Sequence, residues 1–258
     1  MVPILASSTL MWNASLKEMF CQIVENGLAG MEFWAQHFFY QEYDETEYVR
    51  LTGQYPMQTV IHSCSWDLNL SSVNEGIRQT SVKEVIASME LARKLGASEV
   101  TVHPGHMTTT CCRSECAVIM YDSFQEIAGA SVRLGIPVSL EIMEKTPKEF
   151  VTDIEVVQEV TRDLFDFFSY TLDVAHCDNE EEALYILDHL PSISKLHISN
   201  RQGSRYHTPL SDGDYDFVSL LPVLCAYGLP MVVEGYDPGR YFHVLHQNIA
   251  FLQSQGGI

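Results

Sequence analysis

The chain has 258 residues, 46% of them hydrophobic, and its 15 Lys and Arg stand against 34 Asp and Glu for a formal net charge of -19. That size and apolar content suit one large α/β domain or two small ones and exclude a disordered chain, while the acidity disfavours nucleic acid and anionic membranes, since no basic patch overrides it. Seven cysteines in no regular framework fit the reduced thiols of a cytoplasmic protein, no positive residue precedes the first apolar run as a secretory signal would require, and no apolar stretch nears the ~20 residues of a membrane span.

Short apolar runs alternate with amphipathic segments along the whole chain. Residues 2–6 read as a strand, and Leu16, Met19, Phe20, Ile23 and Val24 mark the inner face of a helix that ends at Asn26 and Gly27. Residues 30–34 form the second strand, with a helix around 44–51 after it, and 59–62 the third, followed by Val82, Val85, Ile86, Met89 and Ala92 at helical spacing. The fourth strand is 99–103, and Val118, Tyr121, Phe124, Ile127 and Ala128 continue as a helix that stops at Gly135. The fifth is 137–142, with a helix through Phe150, Ile154, Val157 and Val160; the sixth is 168–173, with Ala183, Leu184, Leu187 and Leu190 as its helix. The seventh is 193–198, followed by a loop of Gly, Ser, Arg and Asp and a helix from about Asp216 through Leu220, Leu221 and Leu224. Residues 230–234 are the eighth strand, and Leu245, Ile249 and Leu252 close the chain on a helix. Eight βα units of this size predict a (β/α)8 TIM barrel, one domain over 1–258, with a doubly wound open sheet as the rival.

A barrel of this kind builds its site at the carboxyl ends of the strands. The third strand ends at His62, the fourth at His103, the fifth at Glu141, the sixth at Asp173 with His176 just beyond, the seventh at His197 and the eighth at Glu234. Singly, each is more often a hydrogen-bonded structural residue. Together they point to a metal site, because only that end of a barrel brings the strand ends within reach of one another. Imidazole with carboxylate suits zinc, manganese or cobalt better than calcium or magnesium. Glu32 and Glu144 face the pocket or close ion pairs in its mouth. His37, His106, His189, His243 and His246 read as surface or capping residues. Cys111, Cys112 and Cys116 are a weak zinc signal without a second Cys/His pair. Trp12, Trp34 and Trp66, each after an early strand, offer flat walls for a sugar ring or simple packing.

The phrases VIHSCSWDLNL, VTVHPGH, SLEIME, TLDVAH, LHIS, YHTPLSDGDYDF and VVEGY stand in this order, and the set resembles the xylose isomerase-like barrels that unite endonuclease IV, the family 2 apurinic endonucleases, with sugar epimerases and isomerases. The resemblance implies a metal centre of Glu141, Asp173, His197 and Glu234, as in tagatose/psicose 3-epimerase-like enzymes. It implies that His62 and His103 share Glu141 with a second ion, as in endonuclease IV, and that His176 and His207 help hold a third. In endonuclease IV a ligand aspartate stands two residues before the counterpart of His207; here Arg205 stands there, so one or two ions are expected rather than three.

Two activities follow from that resemblance. The favoured one is a divalent-metal-dependent sugar or sugar phosphate isomerase or epimerase, in which Glu141 and Glu234 pass a proton through a metal-stabilised enediolate while His176 and Arg201 or Arg205 hold substrate hydroxyls or a phosphate. The alternative is an endonuclease IV-like phosphoester hydrolase with two or three ions. A barrel kept only as a binding module is disfavoured by the nearly complete ligand set. The expected partner is a small carbohydrate; homo-oligomers are common among such barrels, although no residue pattern here reports one.

Overall fold

In the computed structural model, which describes residues 2–109 and 112–256, the apolar runs become short parallel strands. In chain order these are β1 (Ile4–Ser7), β2 (Gly30–Trp34), β3 (Gln58–His62), β4 (Val100–Val102), β5 (Val138–Ile142), β6 (Ser169–Asp173) and β7 (Ile193–Ile198). A hairpin of β8 (Asn200–Gln202) and β9 (Arg205–Thr208) follows, and then β10 (Met231–Val233). Eight strands close in the order β1-β10-β7-β6-β5-β4-β3-β2, with β1 pairing Ile4 to Met231 on one side and Leu5 to Gly30 on the other. The fold is therefore the expected single-domain (β/α)8 barrel. Gly30 is needed at its seam, because a Cβ there would lie 2.0 Å from the Gln58 carbonyl oxygen.

The helices are α1 (Leu16–Glu25), α2 (Ala35–Tyr40), α3 (Glu45–Gln54), α4 (Glu75–Leu95), α5 (Arg113–Leu134), α6 (Ile154–Thr161), α7 (Glu180–His189), α8 (Phe217–Ala226) and α9 (His243–Ser254). Their starts follow local chemistry: Ser15 and Glu18 form a capping box on α1, and Asp153 and Asp216 accept backbone N–H bonds at the starts of α6 and α8. Gly96, at a φ of +71°, ends α4 in the left-handed conformation that glycine adopts without steric cost. Their inner faces pack on the outer side of the barrel in one continuous core.

Inside the barrel the strand period of two sets the layers. Two residues before each ligand candidate stands another inward position: Val60 below His62, Thr101 below His103, Ser139 below Glu141, Thr171 below Asp173, Lys195 below His197 and Val232 below Glu234. Leu5, Val60 and Val232 form a small apolar plug there, apart from the outer core. The candidate site residues therefore sit one layer above the plug, at the carboxyl ends of the strands.

Several expectations are corrected. Helix α2 follows β2 directly, ahead of the anticipated helix, and Phe150 lies in the loop before α6. The segment after β7 is not all loop: Gly203 at φ +58° turns β8 back onto β9. Asn200 holds this hairpin down, donating through Nδ2 to the Leu210 and Tyr215 carbonyls and accepting from the backbone N–H of Arg201 and Tyr215. His37 is buried rather than a surface residue, its ring nitrogens 3.1 Å from Ser8 Oγ and 2.8 Å from the Trp12 carbonyl, and burial lowers it to about 4. Among the described residues no helix is long and apolar enough to cross a membrane.

Candidate metal centre

Glu141, near the end of β5, is the hub. Its Oε2 lies 3.4 Å from His62 Nε2, 3.3 Å from His103 Nε2 and 3.5 Å from His197 Nδ1. His197 Nδ1 is also 3.1 Å from Glu234 Oε1, and its Nε2 is 2.7 Å from Glu32 Oε2. His176 brings Nε2 to 3.5 Å from Asp173 Oδ2, and His207 Nδ1 is 3.7 Å from the same oxygen and 3.6 Å from Glu234 Oε2. Donor atoms gather within 4.8 Å of one another in four groups: His62, His103 and Glu141; Glu141, Asp173 and His197; Glu32, His197 and Glu234; and Asp173, His176 and His207.

These atoms are close without satisfying one another. His62 Nε2, Glu141 Oε2, Asp173 Oδ2, His197 Nδ1 and Glu234 Oε1 are all buried and lack a hydrogen-bond partner. Each such orphan costs about 1–3 kcal/mol if nothing meets it. Carboxylate and imidazole atoms converging on shared points are the donor set of a divalent cation, so the residues present fit the metal that the sequence suggests.

The charges point the same way. Burial alone would raise Glu141, but His103 and His197 more than offset it and hold the carboxyl well below its ordinary range. Burial drives Glu234 well above, against the pull of His197 and aided by Asp173 and Glu141. Burial works to lower His197, His103 and His176, yet facing carboxylates raise all three. In His62 and His207 burial wins and lowers the ring. Without an ion, the raised histidines use their own protons to balance the crowded carboxylates.

Local backbone and packing hold the set. Trp34 stacks on the His62 ring with centroids 3.9 Å apart and planes at 4°. The Ile142 carbonyl lies 2.9 Å from His176 Nδ1, and Thr101 donates to Glu32 Oε1. Such outer contacts fix ligand orientation. His207 adopts a left-handed φ of 57° on β9, as Glu42, Asp67, Arg162, Ser192 and Phe242 do elsewhere in the chain. Gly235, at φ +150°, lets the chain turn just beyond Glu234, where Thr9 Oγ1 donates to its carbonyl at 2.6 Å.

Above the cluster opens a cavity of about 420 Å³ lined by Thr9, Trp34, Trp66, Arg205, Tyr206, His207, Glu234, Gly235 and Tyr236. Trp34, Trp66 and Arg205 thus line the mouth. Trp12 does not: it is buried, stacked between His37 and Trp66 at centroid distances of 4.4 and 5.2 Å, and backs the wall. Arg201 is engaged elsewhere, donating to the Cys177 and Gly203 carbonyls and lying over the Tyr206 ring, so it braces the hairpin. Of the cysteine cluster, Cys111 lies outside the described residues; Cys112 and Cys116 hold their sulfurs 3.2 Å apart and join no metal-holding group among the described residues.

A family profile described as "Xylose isomerase-like TIM barrel" matches residues 20–254. The chain belongs to this family. A relative within reach of sequence comparison is an uncharacterized protein of Methanocaldococcus jannaschii, 24% identical over 237 residues and covering 88% of this chain and 86% of its own. Among solved structures the barrel superposes on a D-tagatose 3-epimerase-like protein with a TM-score of 0.79 at 21% identity, covering 98% of this chain and 99% of that one. It also superposes on the IolI protein with a bound zinc atom, at a TM-score of 0.73 and 17% identity, over 98% of this chain and 96% of that one.

Within this xylose isomerase-like barrel Arg205 lines the mouth cavity and joins no donor group among the described residues. Asp173 supplies a carboxylate to the His176 and His207 group, so a third donor set persists. Glu32, left open between pocket and ion pair, proves to contact the far side of the His197 ring. Tyr206 and Tyr236 are mouth residues that strand-end reasoning missed. Tyr206 is next to His207 and Tyr236 is two residues after Glu234, and that nearness in sequence is the signal that could have found them.

Proposed function

We propose that the protein is a divalent-metal-dependent isomerase or epimerase acting on a sugar or sugar phosphate. The observation that carries this reading is the placement of Glu141 and Glu234, from separate strands, on the same His197 nitrogen at 3.5 and 3.1 Å with oxygens that nothing satisfies. Glu141, Asp173, His197 and Glu234 would hold the ion, which when bound supplies Lewis-acid polarisation of a substrate carbonyl. Glu141 and Glu234 exchange the proton of the carbon next to that carbonyl, one as base and the other as acid. Trp34 and Trp66 give the sugar apolar faces to lie against, Arg205 holds a hydroxyl or phosphate at the rim, and His176 stands within reach of the same substrate oxygens. The likeness in fold to a D-tagatose 3-epimerase-like protein and to a zinc-bound relative supports the reading.

The test is a screen of ketoses, ketose phosphates and abasic DNA in heavy water, with zinc-, manganese- or cobalt-loaded protein. Deuterium entering next to the carbonyl with formation of the epimer is the expected result. Cleavage of abasic DNA without exchange overturns it in favour of a second reading, a phosphoester hydrolase. That reading draws on the group of His62, His103 and Glu141 and the group of Asp173, His176 and His207, whose four histidines a single-ion epimerase does not require as ligands. Metal content separates the two: about one ion per chain supports the epimerase, and two or three support hydrolysis or a dinuclear isomerase.

A further inference from the structure

We propose that the mouth carries a second, preformed sugar-binding lobe, lined by Ser72, His106, Thr108, Lys148 and Glu149, which takes the second ring of a glycoside whose first ring reacts at the metal centre. The identity of the reacting ring rests on the function proposed above; the lobe itself rests on geometry alone.

Beside the cavity over Glu234 lies another of about 510 Å³, which touches the metal cluster through His103. Each alone falls in the range of about 300–1,000 Å³ typical of a complete small-molecule site, so the two together exceed what one sugar ring fills. The loop after β3 divides them, with Trp66 facing the first cavity and its neighbours Ser65 and Asp67 lining the second. A ligand of two linked rings can therefore lie across this partition with one ring in each lobe.

The second lobe is held rigid. Asn69 Oδ1 accepts from the Ser71 N–H, the Ser71 hydroxyl and the His106 N–H, while its Nδ2 donates to the His106 carbonyl at 2.9 Å. These bonds tie the loop after β3 to the loop after β4. Gly105 permits the close approach, since a Cβ there would lie 2.3 Å from the Ser71 nitrogen. Preformed walls lower the ordering cost of binding.

The lining chemistry selects a neutral polyol. Glu149 Oε2 is buried and has no hydrogen-bond partner, an acceptor that a sugar hydroxyl would satisfy. Lys148 and the hydroxyl-bearing Ser72 line the same cavity. Asp67 opposes a phosphate in this lobe, whereas a hydroxyl-bearing ring can donate to Asp67 and Glu149 and accept from the lysine.

Calorimetric titration of the zinc-loaded protein with cellobiose, maltose and sucrose, against glucose and fructose, tests the lobe without needing turnover. The expected result is at least one disaccharide bound tenfold or more tightly than either constituent, with Glu149→Leu and Thr108→Trp each cutting that ratio to near one. Thermal unfolding verifies that both variants fold, and Thr108→Ser is expected to keep the wild-type ratio. No disaccharide preference, or a preference that survives Thr108→Trp, overturns the lobe. Disaccharide preference in a protein that exchanges deuterium into no ketose upholds the lobe and overturns the epimerase. Exchange with monosaccharides and no disaccharide preference does the reverse.

Discussion

The barrel interior holds a polar cluster toward each end, and the two differ in how they are satisfied. At the amino end Lys195 Nζ lies 2.5 Å from Glu99 Oε1, the Ser194 and Ser169 hydroxyls donate to the two Glu99 oxygens at 2.9 and 2.7 Å, and Ser139 pairs with Thr171 at 2.7 Å. Nothing in that cluster is left without a partner among the described residues. At the carboxyl end the atoms are as deeply buried, but Glu141 Oε2, Asp173 Oδ2, His62 Nε2, His197 Nδ1 and Glu234 Oε1 of the candidate metal groups remain orphaned. A buried polar group that closes on its neighbours specifies structure; one that stays open while converging with others is held ready for a ligand.

The sharpest way to break that contrast is to remove one open carboxylate. Glu234→Gln keeps the shape of the side chain but can neither accept a proton nor carry charge. Turnover is expected to fall by about 10²–10⁴-fold, with unfolding of the metal-free variant at no lower a temperature than wild type, because one of several repelling carboxylates is gone. Wild-type rates with any ketose substrate would rule out the assigned role.

The closed cluster predicts the opposite pattern. Lys195→Met leaves Glu99 without its cation in a site where Lys195 is 2% exposed. Breaking such a pair costs about 3–5 kcal/mol when both charges are buried, and somewhat less here because Glu99 keeps some contact with water. Unfolding should shift down by roughly 5–10 °C on the scaling for a chain of this size. Metal content and turnover per folded molecule should hold. Loss of metal in this variant would show that the two ends are not independent.

Removing the ion tests the open cluster by pH. His103, His176 and His197 are raised in the folded protein by facing carboxylates. Groups raised on folding contribute stability that is fully present below the unfolded histidine value and is lost as pH rises through the folded values. The metal-free protein should therefore lose stability as pH rises above the ordinary histidine range and its protons leave, while a bound ion replaces them and holds stability up. At a hundredfold excess over its dissociation constant the ion adds about 2.7 kcal/mol. The gap in unfolding temperature between loaded and stripped protein should widen with pH; a constant gap would separate the histidines from the metal.

Most of the open cluster was legible in the sequence because two periods coincide there. Strand alternation turns every second residue inward, and the topology collects the strand ends, so His62, His103, Glu141, Asp173, His197 and Glu234 could be read without a structure. The β8–β9 hairpin was not legible, since its Gly- and Arg-rich composition is that of a loop and its order comes from the Asn200 side chain, a contact that reaches up to 15 residues along the chain. His37 was misread because its burial depends on the Trp12 ring that stacks on it at 4.4 Å. Arg201 was misread because composition cannot tell a guanidinium facing a substrate from one that caps the Cys177 carbonyl. The Glu99 and Lys195 pair passed unnoticed, as its partners stand 96 residues apart.

Glu149 lies between the two cases and sharpens them with the smallest effect. Its Oε2 is orphaned like the candidate ligand atoms, yet among the described residues it stands outside every group placed to hold a metal. Burial, aided by Glu144, raises its carboxyl to about 7. A carboxyl raised on folding favours the native state only while protonated, so its contribution is present below the unfolded value near 4.5 and is lost as pH rises toward 7. Glu149→Gln, which resembles the protonated form, should match wild type at about pH 3.5 and exceed it at pH 8 by about 1–3 kcal/mol, the upper end being close to the full shift at 1.36 kcal/mol per unit. Denaturant unfolding at the two pH values measures this directly. An equal difference at both would mean that the carboxylate finds water or a cation in the folded chain, and that an orphaned oxygen away from the cluster carries no electrostatic strain.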